Sequence, residues 1–165
     1  MEVDEWLNRN QIGYRELTPE DKSAIGSFTM VWTVFEAQAL NTHGNASEIC
    51  RYVDTHMGAF DDLTEFNHSL AYFRNRYIED DVTNNNFIDL NFKRNDPQEL
   101  VKEVLIGLET RPQEVVKALL VIVLRLRHNF FHGLKWEHHM QDQRANFEHA
   151  TSILMFSLDR GRDVL

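Results

Sequence analysis

The run Ala118-Leu119-Leu120-Val121-Ile122-Val123-Leu124 constrains this chain more than any other segment, because a helix through it is apolar on every side. Such a helix offers no face to water and belongs in the middle of a bundle. Directly after it comes Arg125-Leu126-Arg127-His128-Asn129-Phe130-Phe131-His132-Gly133, which sets arginine, histidine and asparagine at the end of a core segment. Packing alone does not ask for these groups. Cations there need either a carboxylate that neutralises them or an anion, such as a phosphate, that the site is built to receive.

The rest of the chain reads as helices arranged around that segment. Thr18-Pro19-Glu20-Asp21 combines an N-cap, a proline at the first helical position and a first-turn acid, and it opens a helix of about two dozen residues. Within it Ile25, Phe28, Trp32, Phe35 and Ala39 form one apolar stripe at three- and four-residue spacing. After a His43-Gly44-Asn45 turn, Asn45 with Glu48 caps a helix to about Met57. Asp62 with Glu65 caps the next, lined by Leu63, Phe66, Leu70, Phe73 and Tyr77. The polar run 80–86 is expected to be a loop. Phe87 to Phe92 alternates like a strand, but a single short strand has no partner, so an extended connection is expected. Asp96-Pro97-Gln98-Glu99 starts a helix to about Leu108, and Pro112 starts the central helix, with Gly133 as its C-cap. Trp136, Met140, Phe147, Ala150, Leu154 and Leu158 line a last helix. The expected architecture is all-α, a bundle of about five to six helices in a single domain over residues 1–165. Residues 1–17 form an extension and 18–158 the bundle.

Composition narrows the function classes. A chain of 165 residues with 42% hydrophobic content can bury a core without staples, and its single cysteine, Cys50, excludes an intrachain disulfide and suits a reducing compartment. The acidic start Met1-Glu2-Val3-Asp4-Glu5 is unlike a signal peptide and no apolar run is long enough for a bilayer, so a soluble, cytoplasmic protein with no membrane partner is expected. A net charge of −9 argues against nonspecific binding along a nucleic-acid backbone. The charge is unevenly placed, however: residues 1–110 carry 9 Lys/Arg against 20 Asp/Glu, while 111–165 carry 8 against 6 and five of the eight histidines. The last third suits a local anion site, and the acidic remainder suits a basic partner.

The segment Arg127-His128-Asn129-Phe130-Phe131-His132 resembles the signature of the HEPN superfamily: an arginine, a polar residue, three or more further residues and a histidine. Asn129, Phe131, His132 and Gly133 match the common wording of that signature, and His128 fills its polar slot. Trp32-Thr33-Val34-Phe35-Glu36 and Tyr72-Phe73-Arg74-Asn75-Arg76-Tyr77 are similar more loosely, so that the likeness spans residues 20–158. The resemblance implies a helical domain that pairs as a homodimer with a composite active site, acting on RNA without a metal or cofactor. It further implies a toxin of a toxin–antitoxin pair or an antiviral effector, held in check by an antitoxin or regulatory protein. Some toxin relatives carry a tyrosine two residues after the motif histidine that a partner enzyme adenylylates. Leu134 stands there in this chain, so neutralisation takes another form. A non-catalytic helical module serving a nucleotidyltransferase is the alternative reading.

The residue types suit that chemistry. His132 can exchange a proton near neutral pH, as needed to activate a ribose 2′-hydroxyl or protonate a leaving 5′-oxygen. Arg127, permanently charged and forked, can hold the scissile phosphate and stabilise its transition state. His128 is the third catalytic candidate, as an orienting group or proton carrier. Asn129 and Lys135 are the substrate-binding candidates, and Arg125 and His138-His139 are expected at a solvated or RNA-facing rim. At about 100° per residue, Arg127 and His132 lie roughly 140° apart on one helix, which favours a site shared by two copies. Plainer readings stand beside these: an Arg127–Glu36 ion pair, His132 at a helix end, or a metal on His128 and His132, four residues apart but without an acidic third ligand. A ferritin-like di-metal centre needs two Glu-x-x-His motifs and finds only Glu65-Phe66-Asn67-His68.

Overall fold

The computed structural model describes residues 2–58, 60–131 and 142–162. The central helix, α8 (Pro112–Phe131), is buried as its sequence requires: from Val115 to Leu126 only Lys117 escapes full burial. Each buried aliphatic side chain contributes roughly 1.5–3 kcal/mol. Tertiary packing, rather than the modest helix propensity of its valines and isoleucine, therefore holds this helix. Around it, α4 (Ala46–His56) and α7 (Gln98–Ile106) pack directly on α8. The most extensive helix pair is α3 (Pro19–Ala39) with α9 (Arg144–Arg162), and α5 (Thr64–Tyr77) lies against α9. Phe147 of α9 ties these layers together, its ring 5.0 Å from Phe28 of α3 and 5.3 Å from Phe130 of α8.

The chain is an all-α bundle. Six helices form its body, and three smaller ones bring the number among the described residues to nine. The extension is itself folded, as α1 (Val3–Asn10) and the single turn α2 (Ile12–Arg15). No residue of α1 is buried, and polar contacts hold it: Asp4 accepts from the Tyr14 hydroxyl at 2.6 Å and pairs with Lys22 at 2.9 Å. The third addition is α6 (Asn85–Ile88).

Caps form largely where expected. Thr18 and Asp21 make a reciprocal capping box at α3, Asp21 N–H donating to Thr18 Oγ1 (3.1 Å) and Thr18 N–H to Asp21 Oδ2 (2.9 Å). Asn45 caps α4 by accepting from Glu48 N–H at 3.0 Å. At α5, Asp62 accepts from Thr64 N–H, one residue earlier than a regular cap position. At the far end of α3, Asn41 and Thr42 adopt left-handed conformations (φ 47° and 65°), and Thr42 N–H returns to the Glu36 carbonyl at 3.0 Å. This turn folds the following loop back over Glu36.

Two expectations between α5 and α7 are corrected. Residues 80–86 are no plain loop: Ile78–Glu79 (β1) pairs antiparallel with Val82–Thr83 (β2), Ile78 opposite Thr83, across a turn with Asp80 and Asp81 both at positive φ (50° and 61°). The strand-like run 87–92 is likewise not extended at its start. Asn84 caps α6 by accepting from Phe87 N–H (3.3 Å), and Phe87 and Leu90 turn inward at three-residue spacing. The core needed two inward side chains from this stretch, and a helical turn supplies them without an orphan strand edge. Trp136, Met140 and the Gly133 C-cap lie outside the described residues, and among those described no helix is long and apolar enough to cross a membrane.

Candidate functional site

The last turns of α8 present polar groups on two sides, and the neighbours of each side differ. On one, Arg125 is fully buried. Its Nε donates to the Leu90 carbonyl (3.2 Å), and its Nη1 reaches Asp96 Oδ2 (3.3 Å) and His128 Nδ1 (3.0 Å). Burial pushes the guanidinium below its ordinary value, against the opposing pull of Asp96. One turn further on, Asn129 is buried as well, and its amide donates to the Asp89 (2.9 Å) and Leu90 (3.2 Å) carbonyls. Together these residues fasten the connector between α6 and α7 to the central helix. Asp96 completes the fastening by accepting from Lys93 N–H at 2.8 Å, which sets a turn over 93–96.

These contacts correct two expectations. Arg125 is no rim residue, because a helix buried on every side gives position 125 no solvated face. Asn129 is turned inward and hydrogen-bonds backbone carbonyls, the other role its place after His128 allowed, so its amide is committed within the described residues and is not open to substrate.

Arg127 faces α3, where its surroundings are of another kind. The guanidinium carbon lies 5.6 Å from the Trp32 ring and 5.1 Å from the Phe131 ring, within cation–π reach of both. Its nearest carboxylate is that of Glu36, at 3.9 Å, a length for an ion pair but not for a hydrogen bond. Glu36 is itself engaged by the Trp32 indole N–H at 3.2 Å. Arg127 Nε is buried without a partner, and the side chain donates no hydrogen bond among the described residues. The expected ion pair with Glu36 is thus present but long, and it leaves the donor fork uncommitted. A half-buried guanidinium in this condition is suited to accept two oxygens of a phosphate.

His128 sits next to Arg127 but points elsewhere, toward Arg125 and the 93–96 turn. An arginine can only donate, so His128 Nδ1 is the acceptor and Nε2 carries the ring hydrogen. His132 and Lys135 lie outside the described residues. Among the described residues, no three His, Cys, Asp or Glu side chains converge to hold a metal ion.

Sequence reasoning did not place Phe131 or Gly44 at the site. Phe131 is half-exposed, and its ring lies 5.1 Å from the guanidinium carbon. Gly44 packs so closely on α3 that a Cβ there would overlap the Glu36 carboxylate. The only hint available was the spacing Trp32-x3-Glu36, which stacks the two side chains on one helix face. Comparison with protein-family models, with curated proteins and with solved structures returns no match.

Proposed function

We propose that this chain is a HEPN-type, metal-independent endoribonuclease. The observation that carries the reading is Arg127, set beside the Trp32 and Phe131 rings with no hydrogen bond from its side chain among the described residues, at the start of the motif ending in His132. In the reaction, the ribose 2′-oxygen attacks the adjacent phosphorus while a histidine accepts its proton. The bond to the 5′-oxygen breaks and that oxygen takes a proton, leaving a 2′,3′-cyclic phosphate and a 5′-hydroxyl. Arg127 binds the two non-bridging oxygens and stabilises the charge that grows on them. His132 transfers the protons, and His128, turned toward Arg125, takes no direct part in the step. Two copies supply the site, as the resemblance implies, since positions five apart on an ideal helix diverge by roughly 140°. A cytoplasmic toxin or antiviral effector, restrained by a partner protein, is the setting this chemistry fits.

The test is cleavage of mixed structured and single-stranded RNAs in EDTA by the wild type, Arg127→Ala and His132→Ala, with product ends identified. Cyclic-phosphate ends from the wild type alone are expected. Intact RNA in every lane would replace this reading with that of a binding module for a nucleotidyltransferase or another protein. Mixed dimers of the two variants that recover part of the activity would support a shared site.

A further inference from the structure

An open cleft of about 580 Å³ lies beside the candidate site, between the first turn of α4, the 93–96 turn and the α8 residues Leu124 and His128. Four charged side chains line it: Glu48, Lys93, Arg94 and Asp96. The two carboxylates are already neutralised, Glu48 by an ion pair with Arg51 and Asp96 by Arg125. Lys93 and Arg94 are exposed, and neither side chain has an ion pair or hydrogen bond among the described residues. The cleft therefore carries two uncompensated positive charges on a chain whose net charge is −9. Their backbone is held firmly, because Asp96 binds both Lys93 N–H and the buried Arg125. Gly44 forms part of the cleft wall and also contacts Glu36, the carboxylate nearest Arg127.

We propose that this cleft binds the phosphodiester backbone of single-stranded RNA, with Lys93 and Arg94 each holding one phosphate next to the nucleotide at Arg127. This rests on the ribonuclease reading for its choice of ligand. Single strands suit the place, since an open cleft walled by a helix end and a tight turn admits a flexible backbone more readily than a rigid duplex. Phosphate contacts fix register without reading bases, so the cleft positions the strand and does not select its sequence.

The test measures anisotropy of a labelled, 2′-O-methylated oligoribonucleotide, which cannot be cut, across a salt series. Wild type is compared with Lys93→Ala/Arg94→Ala and with Arg9→Ala/Arg15→Ala, which removes the same charge from α1 and α2. Loss of two phosphate contacts is expected to weaken binding about tenfold or more at low salt and to reduce the slope of log K against log salt by about 0.7 for each contact. The Arg9/Arg15 variant should bind like the wild type. Equal affinity and slope for the Lys93/Arg94 variant, equal weakening in both variants, or no binding by the wild type would each overturn the cleft. So would displacement of the oligonucleotide by inorganic phosphate at far below millimolar concentration, which would mark a small-anion site. Cleavage of the unmodified oligonucleotide is scored separately. Binding through Lys93 and Arg94 without cleavage fails the ribonuclease reading alone, and cleavage unaffected by their loss fails the cleft alone.

Discussion

Arg125 and Arg127 stand two residues apart on the same helix, yet the protein treats them in opposite ways. Arg125 is sealed in, faces a buried carboxylate and donates to a backbone carbonyl. Arg127 is left at the edge, with aromatic rings for neighbours and a carboxylate too distant to bond. A buried arginine bonded to a carboxylate, a carbonyl and an imidazole serves the fold, and removing its carboxylate leaves an uncompensated charge. An arginine with open donors is a small standing cost, of about 1–3 kcal/mol for a buried unsatisfied group, that a bound anion would relieve. What separates structure from candidate function here is therefore the company each guanidinium keeps, not its residue type.

The strongest way to break this comparison is to remove Asp96. Asp96→Ala is expected to lower unfolding free energy by about 3–5 kcal/mol in urea, while Arg127→Ala stays within about 1 kcal/mol of wild type. Equal losses would mean that both arginines are structural. Activity should show the reverse order: Arg127→Ala is expected to slow RNA cleavage by about 10²–10³-fold, and Arg127→Lys to recover little of it, because an ammonium lacks the planar fork. Full activity in the lysine variant would reduce Arg127 to a point charge. A smaller loss, about 1–3 kcal/mol, is expected for Asn129→Ala, which leaves the Asp89 and Leu90 carbonyls without its amide. Denaturation of this variant alongside Asp96→Ala shows whether the fastening of the connector is shared. Glu36→Gln removes the one carboxylate near Arg127 among the described residues, and RNA affinity at low salt should rise a few-fold; an unchanged affinity would mean that Glu36 does not compete with phosphate.

The smallest effect comes from elsewhere in the bundle and serves as a control for pH profiles. Burial, with His68 adding to it, holds His149 below its ordinary value of 6.5, where it stacks on Tyr72 and bonds Ser69. The unfolded chain therefore takes up this proton first as pH falls. Stability should decline below about 6.5 and level off once the folded pKa is passed. Melting curves of wild type and His149→Gln on either side of that pH should show the decline shrinking in the variant. An identical decline would assign it to other groups.

Much of this architecture was readable from local chemistry. The capping box at Thr18 and Asp21, the Asn45 cap and the apolar run of α8 each depend on residues within a few positions of one another, so spacing alone reveals them. The inward role of Arg125 depends on Asp96, 29 residues earlier, and no periodicity reports such a partner. The hairpin at 78–83 escaped because two adjacent aspartates, both left-handed, made its turn in place of the usual asparagine or glycine. At the site, the motif marked Arg127 and holds Phe131 one turn on, but said nothing of Trp32 or of the cations of the cleft. Those come from chain segments that only the fold brings together.

Gly44 couples the loop after α3 to the carboxylate beside Arg127. Its φ is not in the left-handed region, and a methyl there would strike the Glu36 carboxylate and press on the Trp32 ring at 3.3 Å. Gly44→Ala should therefore swing the Glu36 carboxylate away from Arg127 at a small cost in melting temperature. A designer wanting to retune the charge around Arg127 has in this loop a single position, without a side chain of its own, at which to do so.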